Sequence, residues 1–194
     1  MTQMTEEEIR ETAEIGMNVI HCPESNMKLA SGVCPVRKLV QAGVNVVIGT
    51  DGAGSNDDLD ILGELRTAVL LDKLHTKESD VPLRAQEFLK IATINGAKAL
   101  GIDHITGSLK PGKSADVVAI HVRTEPVYNA FSNIAYVGTN TVSDVWVEGR
   151  RLVQGSTVVG VDEAALQLEA QAWGEKVSDS LSPASASCSS SASV

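Results

Sequence analysis

Two short apolar runs that each end in a polar side chain constrain the fold of this chain more than any other feature. The run from Val44 to Gly49 leads through Thr50 to Asp51, and a loop rich in Gly, Ser and Asn follows it. The run from Met17 to Ile20 ends in the same way at His21. Short apolar runs bounded by loop residues are typical of buried strands, and α/β enzymes carry their chemistry where such strands end. The two runs therefore predict a carboxylate and an imidazole on neighbouring strand tips, an arrangement that favours metal-assisted hydrolysis.

Helical patterns surround these two strands. A capping box at the start and a glycine at the end predict a helix from Thr5 to Ile15. Residues 22–34 are predicted to be a loop, residues 35–42 a helix that starts at a proline, and Asp57 or Asp58 the cap of a longer helix. This order predicts parallel strands with right-handed crossovers and a working face at their carboxyl ends. The longer helix carries an apolar stripe that we expect in the core: Leu59, Leu62, Leu65, Val69 and Leu70.

The second half of the chain has a different pattern. Helices are predicted over residues 83–91 and 93–100, and a final helix from Asp162 to about Lys176. Nine of the residues from Ser178 to Val194 are serine, so this segment is predicted to be disordered. We expect a hairpin turn at Glu148–Gly149. Short strands are predicted over residues 115–122, 134–137, 142–147, 151–153 and 158–161. The predicted domain boundaries divide the chain into residues 1–106, 107–161, 162–177 and 178–194.

Composition disfavours several classes of partner. The formal net charge is −9, aromatic residues make up only 3% of the chain, and no cluster of Lys and Arg is present. Such a surface does not favour nucleic acid, which is a polyanion. The three cysteines form no CxxC pair, and reduced thiols in the cytoplasm are the expectation. No apolar run approaches the ~18 residues that a membrane span needs, so no membrane partner is expected.

Five motifs resemble sequences of the amidohydrolase superfamily. They lie at residues 21–32, 49–52, 55–60, 93–101 and 107–116, and the resemblance covers roughly residues 1–176. Within the superfamily the chain is most similar to 5-methylthioadenosine/S-adenosylhomocysteine deaminases and to their triazine-hydrolase relatives. The resemblance implies an α/β fold made of an incomplete (β/α)8 TIM-type barrel, namely its last two strands and their helices. A small portion of a β-sandwich would accompany it, so the chain is expected to be the C-terminal portion of such an enzyme.

The resemblance also implies a metal site, of which this chain holds one part. In the family one divalent metal, usually Zn²⁺, is bound by a His-x-His, a further His and an Asp on the eighth strand. Asp51 matches that Asp, which makes it the candidate metal ligand, catalytic residue and substrate contact. His21 matches a His that lies near the pocket and is not a ligand. Because the other ligands have no counterpart here and catalytic zinc needs about three protein ligands, the isolated chain is expected to be inactive.

Several residues keep a plainer interpretation beside the functional one. Asp51 could be a turn residue before Gly52, and His21 a neutral histidine at the end of a strand. His21 and Asn26 are secondary candidates for lining the substrate pocket, and the alternative for Asn26 is a local bond to the backbone. Because strand neighbours point to opposite faces, Cys22 is expected in the core rather than paired with His21.

The expected reaction is hydrolytic deamination of a small-molecule purine nucleoside. Water would add to a ring carbon of 5'-methylthioadenosine or S-adenosylhomocysteine, and ammonia would leave. A metal would lower the pKa of the water towards ~7, and a carboxylate beside it would accept the proton. The alternatives are an amidohydrolase for guanine, cytosine or triazine substrates, and a non-catalytic remnant or assembly module. A homo-oligomer of the full-length protein stays an open alternative.

Overall fold

A parallel pair of strands begins the fold, and an antiparallel sheet of four strands follows it along the chain. The structure is a computed structural model that describes residues 1–75, 83–122, 129–138 and 141–181. Its mixture of helices and strands confirms the predicted α/β class. The elements are α1 (Glu6–Ile15), β1 (Asn18–His21), α2 (Pro23–Lys28), α3 (Val36–Gln41), β2 (Asn45–Ile48), α4 (Ile61–Leu74), α5 (Ala85–Ile91), α6 (Ile94–Ala99), β3 (Val117–His121), α7 (Ala130–Tyr136), β4 (Thr141–Val147), β5 (Arg150–Gln154), β6 (Thr157–Val158) and α8 (Glu163–Leu181).

Helix α1 begins and ends where the sequence predicts. The Thr5 hydroxyl accepts a hydrogen bond from the Glu8 N–H at 3.2 Å, and the Glu8 carboxylate accepts one from the Thr5 N–H at 2.7 Å. These two bonds form the capping box. Gly16 ends the helix in the left-handed conformation, at φ +74°, and returns the chain to β1. The helices predicted over residues 35–42, 83–91 and 93–100 are likewise confirmed as α3, α5 and α6.

Strands β1 and β2 are parallel, as the order of elements predicts. Their register pairs Asn18 with Asn45 and His21 with Ile48. Side chains alternate between the two faces of a strand, so every second residue of each strand lies on the same face. One face is buried, whereas Ile20 on the other face is 64% exposed. The chain therefore covers one side of this small sheet and leaves the other side open.

Helices cover the buried face of the parallel pair. Leu39 of α3, Leu65 of α4 and Phe88 of α5 are all fully buried in one apolar cluster with Val19 and Val46. Burial of a side chain of this size stabilises the fold by roughly 1.5–3 kcal/mol. This cluster holds α3, α4 and α5 against one face of the two strands.

Helix α4 begins later than the sequence predicts. Asp60, and neither Asp57 nor Asp58, is its cap, because the Asp60 carboxylate accepts a hydrogen bond at 2.9 Å from the N–H two residues on. Leu59 therefore precedes the helix, has φ +54° and is exposed. Leu70 is also exposed. The expectation that these two leucines belong to the core stripe is wrong: Leu59 precedes the helix, and Leu70 lies on a different face of α4 from the buried residues Leu65, Ala68 and Asp72.

Two short helices lie where the sequence analysis places other structure. Helix α2 occupies part of the segment predicted as a loop, and Pro23 at its first position is the signal that could have revealed it. The strand predicted at residues 134–137 is wrong, because these residues overlap the end of α7. Asn129 caps this helix by accepting a hydrogen bond from the Ser132 N–H at 3.1 Å. Four apolar residues in a row do not distinguish a strand from one turn of a buried helix.

The antiparallel sheet confirms the β-rich second half. The strand order is β3-β4-β5-β6. The predicted hairpin turn between β4 and β5 is confirmed, since Glu148 and Gly149 have φ angles of +51° and +77°. Two positive φ angles in succession are the geometry of a type I′ turn, which suits the twist of the flanking strands.

Asp116 ties the turn after α6 to this hairpin. Its carboxylate accepts hydrogen bonds from the Thr106 hydroxyl at 2.6 Å, the Ser114 hydroxyl at 2.9 Å and the Glu148 N–H at 2.8 Å. The Thr106 bond, followed by the Glu148 bond, holds the pKa of Asp116 below its usual range. The last of the recognised motifs is therefore structural in this chain.

The chain falls into two compact units, Met1–Thr157 and Val158–Val194. In the second unit α8 runs to Leu181, so the helix passes the predicted end at Lys176 and includes the first residues of the segment predicted to be disordered. Residues 182–194 lie outside the described residues. In the described ranges, no helix has both the length and the hydropathy needed to cross a membrane.

We predict that Gly107→Ala destabilises the first unit more than Gly101→Ala does. Both glycines have positive φ, +83° and +72°, so each alanine costs about 1–2 kcal/mol of backbone strain. At Gly107 a Cβ would also lie 2.7 Å from the Ala97 Cβ and 3.1 Å from the Ile94 Cα, whereas nothing lies within 4 Å at Gly101. Overpacking adds roughly 1–3 kcal/mol. Urea denaturation measures both free energies of unfolding, and equal losses would contradict the packing argument.

Candidate functional site

Asp51 lies just beyond the carboxyl end of β2, where the sequence analysis places it. Its backbone has φ +64°, an uncommon conformation for a residue other than glycine. The Ser25 hydroxyl donates a hydrogen bond to Asp51 Oδ2 at 2.9 Å, and the Gly52 N–H donates one to Asp51 Oδ1 at 2.8 Å. The side chain is thus held from two sides while it stays exposed to solvent.

These donors keep the carboxyl group charged. The Ser25 hydroxyl, followed by the Gly52 N–H and the Ser55 side chain, holds the pKa of Asp51 below its usual range. Hydrogen bonds to the charged form of a carboxylate always act in this direction. An ionised carboxylate offers about four lone-pair sites, so Asp51 keeps acceptor capacity for a cation or for a substrate donor.

A cavity of about 470 Å³ lies against Asp51. Asn26 and Cys22 line it, so the structure brings Asn26 to the same site as the carboxylate. Ile20 and Gly49 also line it. A Cβ at Gly49 would lie 2.8 Å from the Ile20 Cγ2, so the absence of a side chain there leaves room for the cavity.

His21 does not lie in this cavity. It lines a second cavity of about 530 Å³, together with Arg37, Asp72 and His75. His21 pairs with the buried Ile48 at the end of β2, so its side chain lies on the helix-covered face, whereas Asp51 follows in the loop beyond β2 and is exposed. In the described residues the imidazole and the carboxylate thus line two different cavities, and the role of His21 at the substrate pocket stays a prediction.

His21 has the properties of a buried neutral histidine. His21 is only 2% exposed, and its Nδ1 has no hydrogen-bond partner among the described residues. Burial, followed by the positive charge of the chain's N-terminus, lowers the pKa of His21 to about 4. The plainer of its two interpretations, a neutral histidine at a strand end, fits this position, although no hydrogen bond satisfies its Nδ1.

Cys22 is half-buried and lines the cavity beside Asp51, so its expected place in the core is wrong. Burial, followed by the charges of Asp51 and Glu64, raises the pKa of the Cys22 thiol. A protonated thiol is a poor nucleophile. With His21 on the other face, the structure forms no Cys–His pair here, as the sequence analysis expects.

A buried carboxylate behind the site was missed by the sequence analysis. Glu64 of α4 is 0% exposed and accepts hydrogen bonds from the Glu24 N–H at 3.1 Å and from Asn56 Nδ2 at 2.6 Å. Burial raises the pKa of Glu64 to about 7, and the bond from Glu24 acts in the opposite direction. The signal in the sequence is an acidic residue inside the apolar pattern of α4, next to Leu65.

The described residues do not form a zinc site by themselves. In this part of the chain no group of three or more His, Cys, Asp or Glu side chains is arranged to hold a metal ion. Asp51 offers carboxylate oxygens, which Zn²⁺ accepts as ligands, but a catalytic zinc needs about three protein ligands. Any metal at Asp51 therefore needs ligands from outside the residues that the structure describes.

Comparison with protein families gives one match over most of the chain. The model of the Amidohydrolase family matches residues 1–152. A 5-methylthioadenosine/S-adenosylhomocysteine deaminase from Teredinibacter turnerae is 44% identical over 91% of this chain and 41% of its own length. A 5'-deoxyadenosine deaminase from Methanosarcina mazei is 41% identical over 90% of this chain and 40% of its own length. The chain thus spans about two fifths of the length of these relatives.

Solved structures agree with this family match. An adenosine deaminase from Xanthomonas campestris with bound zinc has a TM-score of 0.84 and 40% identity, over 92% of this chain and 42% of its own. An atrazine chlorohydrolase from Arthrobacter aurescens, complexed with zinc, has a TM-score of 0.78 and 29% identity, over 88% of this chain and 39% of its own. The fold of the chain is therefore the fold of the corresponding part of these amidohydrolases.

We predict that Ser25→Ala raises the pKa of the Asp51 carboxyl towards its ordinary value, because the hydroxyl is the largest cause of the lowered pKa. A lowered pKa stabilises the fold above the ordinary carboxyl pKa, and this contribution is lost as pH falls. The pH titration of the Asp51 carboxyl carbon by NMR measures the change. Ser31→Ala, at an exposed serine that follows α2, is the control and should leave the titration unchanged.

We predict that the folded wild type loses stability at mildly acid pH and that the His21→Leu variant does not. The unfolded chain binds a proton at His21 near pH 6.5, whereas the folded chain binds it only near about 4. Stability from this group is therefore complete above pH 6.5 and is lost as pH falls from 6.5 to about 4, by up to about 3 kcal/mol.

Urea denaturation of the wild type and the variant across this pH range measures the difference. His104→Leu removes an exposed histidine and controls for the change in composition. A wild type and a His21→Leu variant with parallel stability curves would show that His21 is not buried in the neutral form.

Proposed function

Because the chain belongs to the amidohydrolase family, we propose that it is the C-terminal portion of a metal-dependent hydrolytic deaminase. Its substrate is 5'-methylthioadenosine or S-adenosylhomocysteine, and the products are the inosine analogue and ammonia. The observation that carries the proposal is the ionised Asp51 carboxylate, which Ser25 and Gly52 hold beside a cavity at the carboxyl end of β2. The names of the curated relatives support the substrate class.

The proposed architecture is the end of a (β/α)8 barrel followed by part of a β-sandwich. Strands β1 and β2 would be the last two strands of the barrel, and β3 to β6 would belong to the sandwich. The parallel register of the first pair and its open face, where Ile20 is 64% exposed, support this arrangement. The division into 1–106 for the barrel part and 107–161 for the sandwich part stays a prediction.

Asp51 has the central role in this proposal. It supplies one carboxylate ligand to a divalent metal, for which Zn²⁺ is the candidate, and the other ligands come from outside this chain. Asn26 lines the substrate pocket next to it, whereas a contact of His21 with the substrate stays a prediction. A bound metal would supply an activated water; this chain supplies a fixed negative charge and part of the pocket wall.

Two alternatives have support of their own. The similarity to an atrazine chlorohydrolase keeps a triazine substrate open, and guanine or cytosine substrates belong to the same wider class. A non-catalytic remnant or assembly module is supported by the absence of a metal-ligand cluster within the described ranges and by the open face of the parallel pair. The experiment below separates these alternatives from the deaminase.

We predict that the longer protein containing this chain binds zinc and releases ammonia from 5'-methylthioadenosine. Asp51→Asn should lower the rate by at least about a hundredfold, since it removes a charged ligand worth several kcal/mol in the transition state. Asp57→Asn is the matched control, because it makes the same change in the same loop at an exposed residue that pairs with Lys28 at 2.6 Å.

The measurements are ammonia release and zinc content. S-adenosylhomocysteine, 5'-deoxyadenosine, guanine, cytosine and a triazine complete the substrate panel, and turnover of only one of the last three would reassign the substrate. The isolated chain should bind no stoichiometric zinc and release no ammonia. If the longer protein has no activity on any of these compounds, the remnant interpretation replaces the deaminase.

A further inference from the structure

Glu64 lies behind the Asp51 site and contacts neither Asp51 nor the cavity directly. Its two carboxylate oxygens bind two different chain segments, α2 and the loop that follows Asp51. Both segments in turn hold the Asp51 side chain. The proposed reaction does not use this connection. The two hydrogen bonds explain why an acidic side chain is buried in an apolar region.

The first connection passes through α2. Glu64 Oε2 accepts a hydrogen bond from the Glu24 N–H at 3.1 Å. Ser25 is the next residue, is only 2% exposed, and donates its hydroxyl to Asp51 Oδ2 at 2.9 Å. The position of the Ser25 hydroxyl therefore depends on where Glu64 holds the start of this helix.

The second connection passes through the loop. Glu64 Oε1 accepts a hydrogen bond from Asn56 Nδ2 at 2.6 Å. The Asn56 N–H donates to the Gly52 carbonyl at 3.0 Å, and the Gly52 N–H donates to Asp51 Oδ1 at 2.8 Å. The two connections meet at opposite oxygens of the same carboxylate, so they close a ring of hydrogen bonds around the site.

This arrangement requires that both side-chain oxygens of Glu64 accept a hydrogen bond. Both groups that face Glu64 are N–H donors, and a carboxyl group, unlike the amide of Gln, has no N–H of its own to oppose them. Glu64 and Asn56 are buried, at 0% and 2% exposure, so water does not replace a lost bond there. A buried donor without a partner costs its full desolvation, which makes the geometry of the ring stiff.

We propose that Glu64 is a positioning residue for Asp51: by accepting hydrogen bonds from Glu24 and Asn56, it fixes the two segments that hold the Asp51 carboxylate. This inference rests on the proposed function for the role of Asp51 in metal binding. The plainer alternative is that Glu64 only stabilises the fold, in which case its loss would act on stability and not on the Asp51 site.

The test compares Glu64→Gln with Leu65→Ala in the longer protein. Glu64→Gln keeps the shape of the side chain but sets an N–H donor against one of the two donors. Leu65→Ala keeps both hydrogen bonds but opens a void at the neighbouring, fully buried residue of the same helix. The pair therefore separates the hydrogen bonds from general destabilisation.

Zinc affinity is the first readout, measured by competition with a chromophoric chelator. Residues that orient a ligand typically change metal affinity by about 10–100-fold, so Glu64→Gln should weaken zinc binding by about that factor. Leu65→Ala should lower the urea midpoint and leave the zinc Kd within about twofold of the wild type. Equal effects of the two variants on the Kd would overturn the positioning role.

Amide hydrogen exchange in the metal-free protein is the second readout. Glu64→Gln should speed the exchange of the Asn56 N–H, by about tenfold or more, because the loop loses its anchor. Leu65→Ala should leave this site close to the wild-type rate after correction for global stability. Unchanged exchange in Glu64→Gln would overturn the inference without reference to any metal.

Two further variants keep the outcomes distinct. If Glu64→Gln does not fold, Asn56→Ala interrupts the same ring from the loop side and should weaken zinc binding and speed exchange of the backbone N–H at position 56 beyond the change in its intrinsic rate. If Asp51→Asn leaves the zinc Kd unchanged, the proposed function fails, and the exchange at Asn56 alone then decides whether Glu64 positions the loop.

Discussion

The in-register parallel pairing of β1 and β2 is the constraint on which the site depends. Because His21 pairs with Ile48, the alternation of side chains places His21 on the helix-covered face, whereas Asp51 follows in the loop beyond β2 and is exposed. A shift of one residue would exchange the two faces for the whole strand. The apolar cluster around Val46 prevents such a shift, since it would move buried side chains into solvent and polar ones into the core. The core thereby fixes which polar residue faces the cavity.

Polar groups behind the site are organised by the same burial. Glu64, Asn56 and Ser25 are nearly inaccessible to water, and each makes a hydrogen bond that leads towards Asp51. A network of this kind is costly when it is incomplete and rigid when it is satisfied. Asp51 itself stays exposed and ionised, so the rigid part of the site lies behind the carboxylate and the reactive part faces outward. This division fits a ligand that must keep its position while its partners come from elsewhere.

Electrostatics differ sharply between the two sides of the small sheet. On the open side, hydrogen bonds keep Asp51 charged, and that charge helps to keep the neighbouring Cys22 thiol protonated. On the covered side, burial keeps His21 neutral. Family membership and the arrangement of Asp51 agree with each other, because the matched structures contain zinc and an exposed, charged carboxylate is a suitable ligand for it. In the proposed function, the chain accounts for one part of such a site.

The sequence by itself determined the elements that depend on local rules: the capped helix after Thr5, the hairpin turn at Glu148, the two parallel strands and the position of Asp51 at a strand end. It failed at α7, where a short apolar run admits two structures, at α2, where a short polar helix starting at Pro23 was taken for a loop, and where exposure depends on the exact start of a helix, as at Leu59. Only the tertiary structure decided that His21 and Asp51 line different cavities and that Glu64 joins two distant segments. The physical reason is that caps and turns are fixed by neighbours in sequence, whereas faces and buried hydrogen bonds are fixed by strand register and packing between residues far apart in the chain.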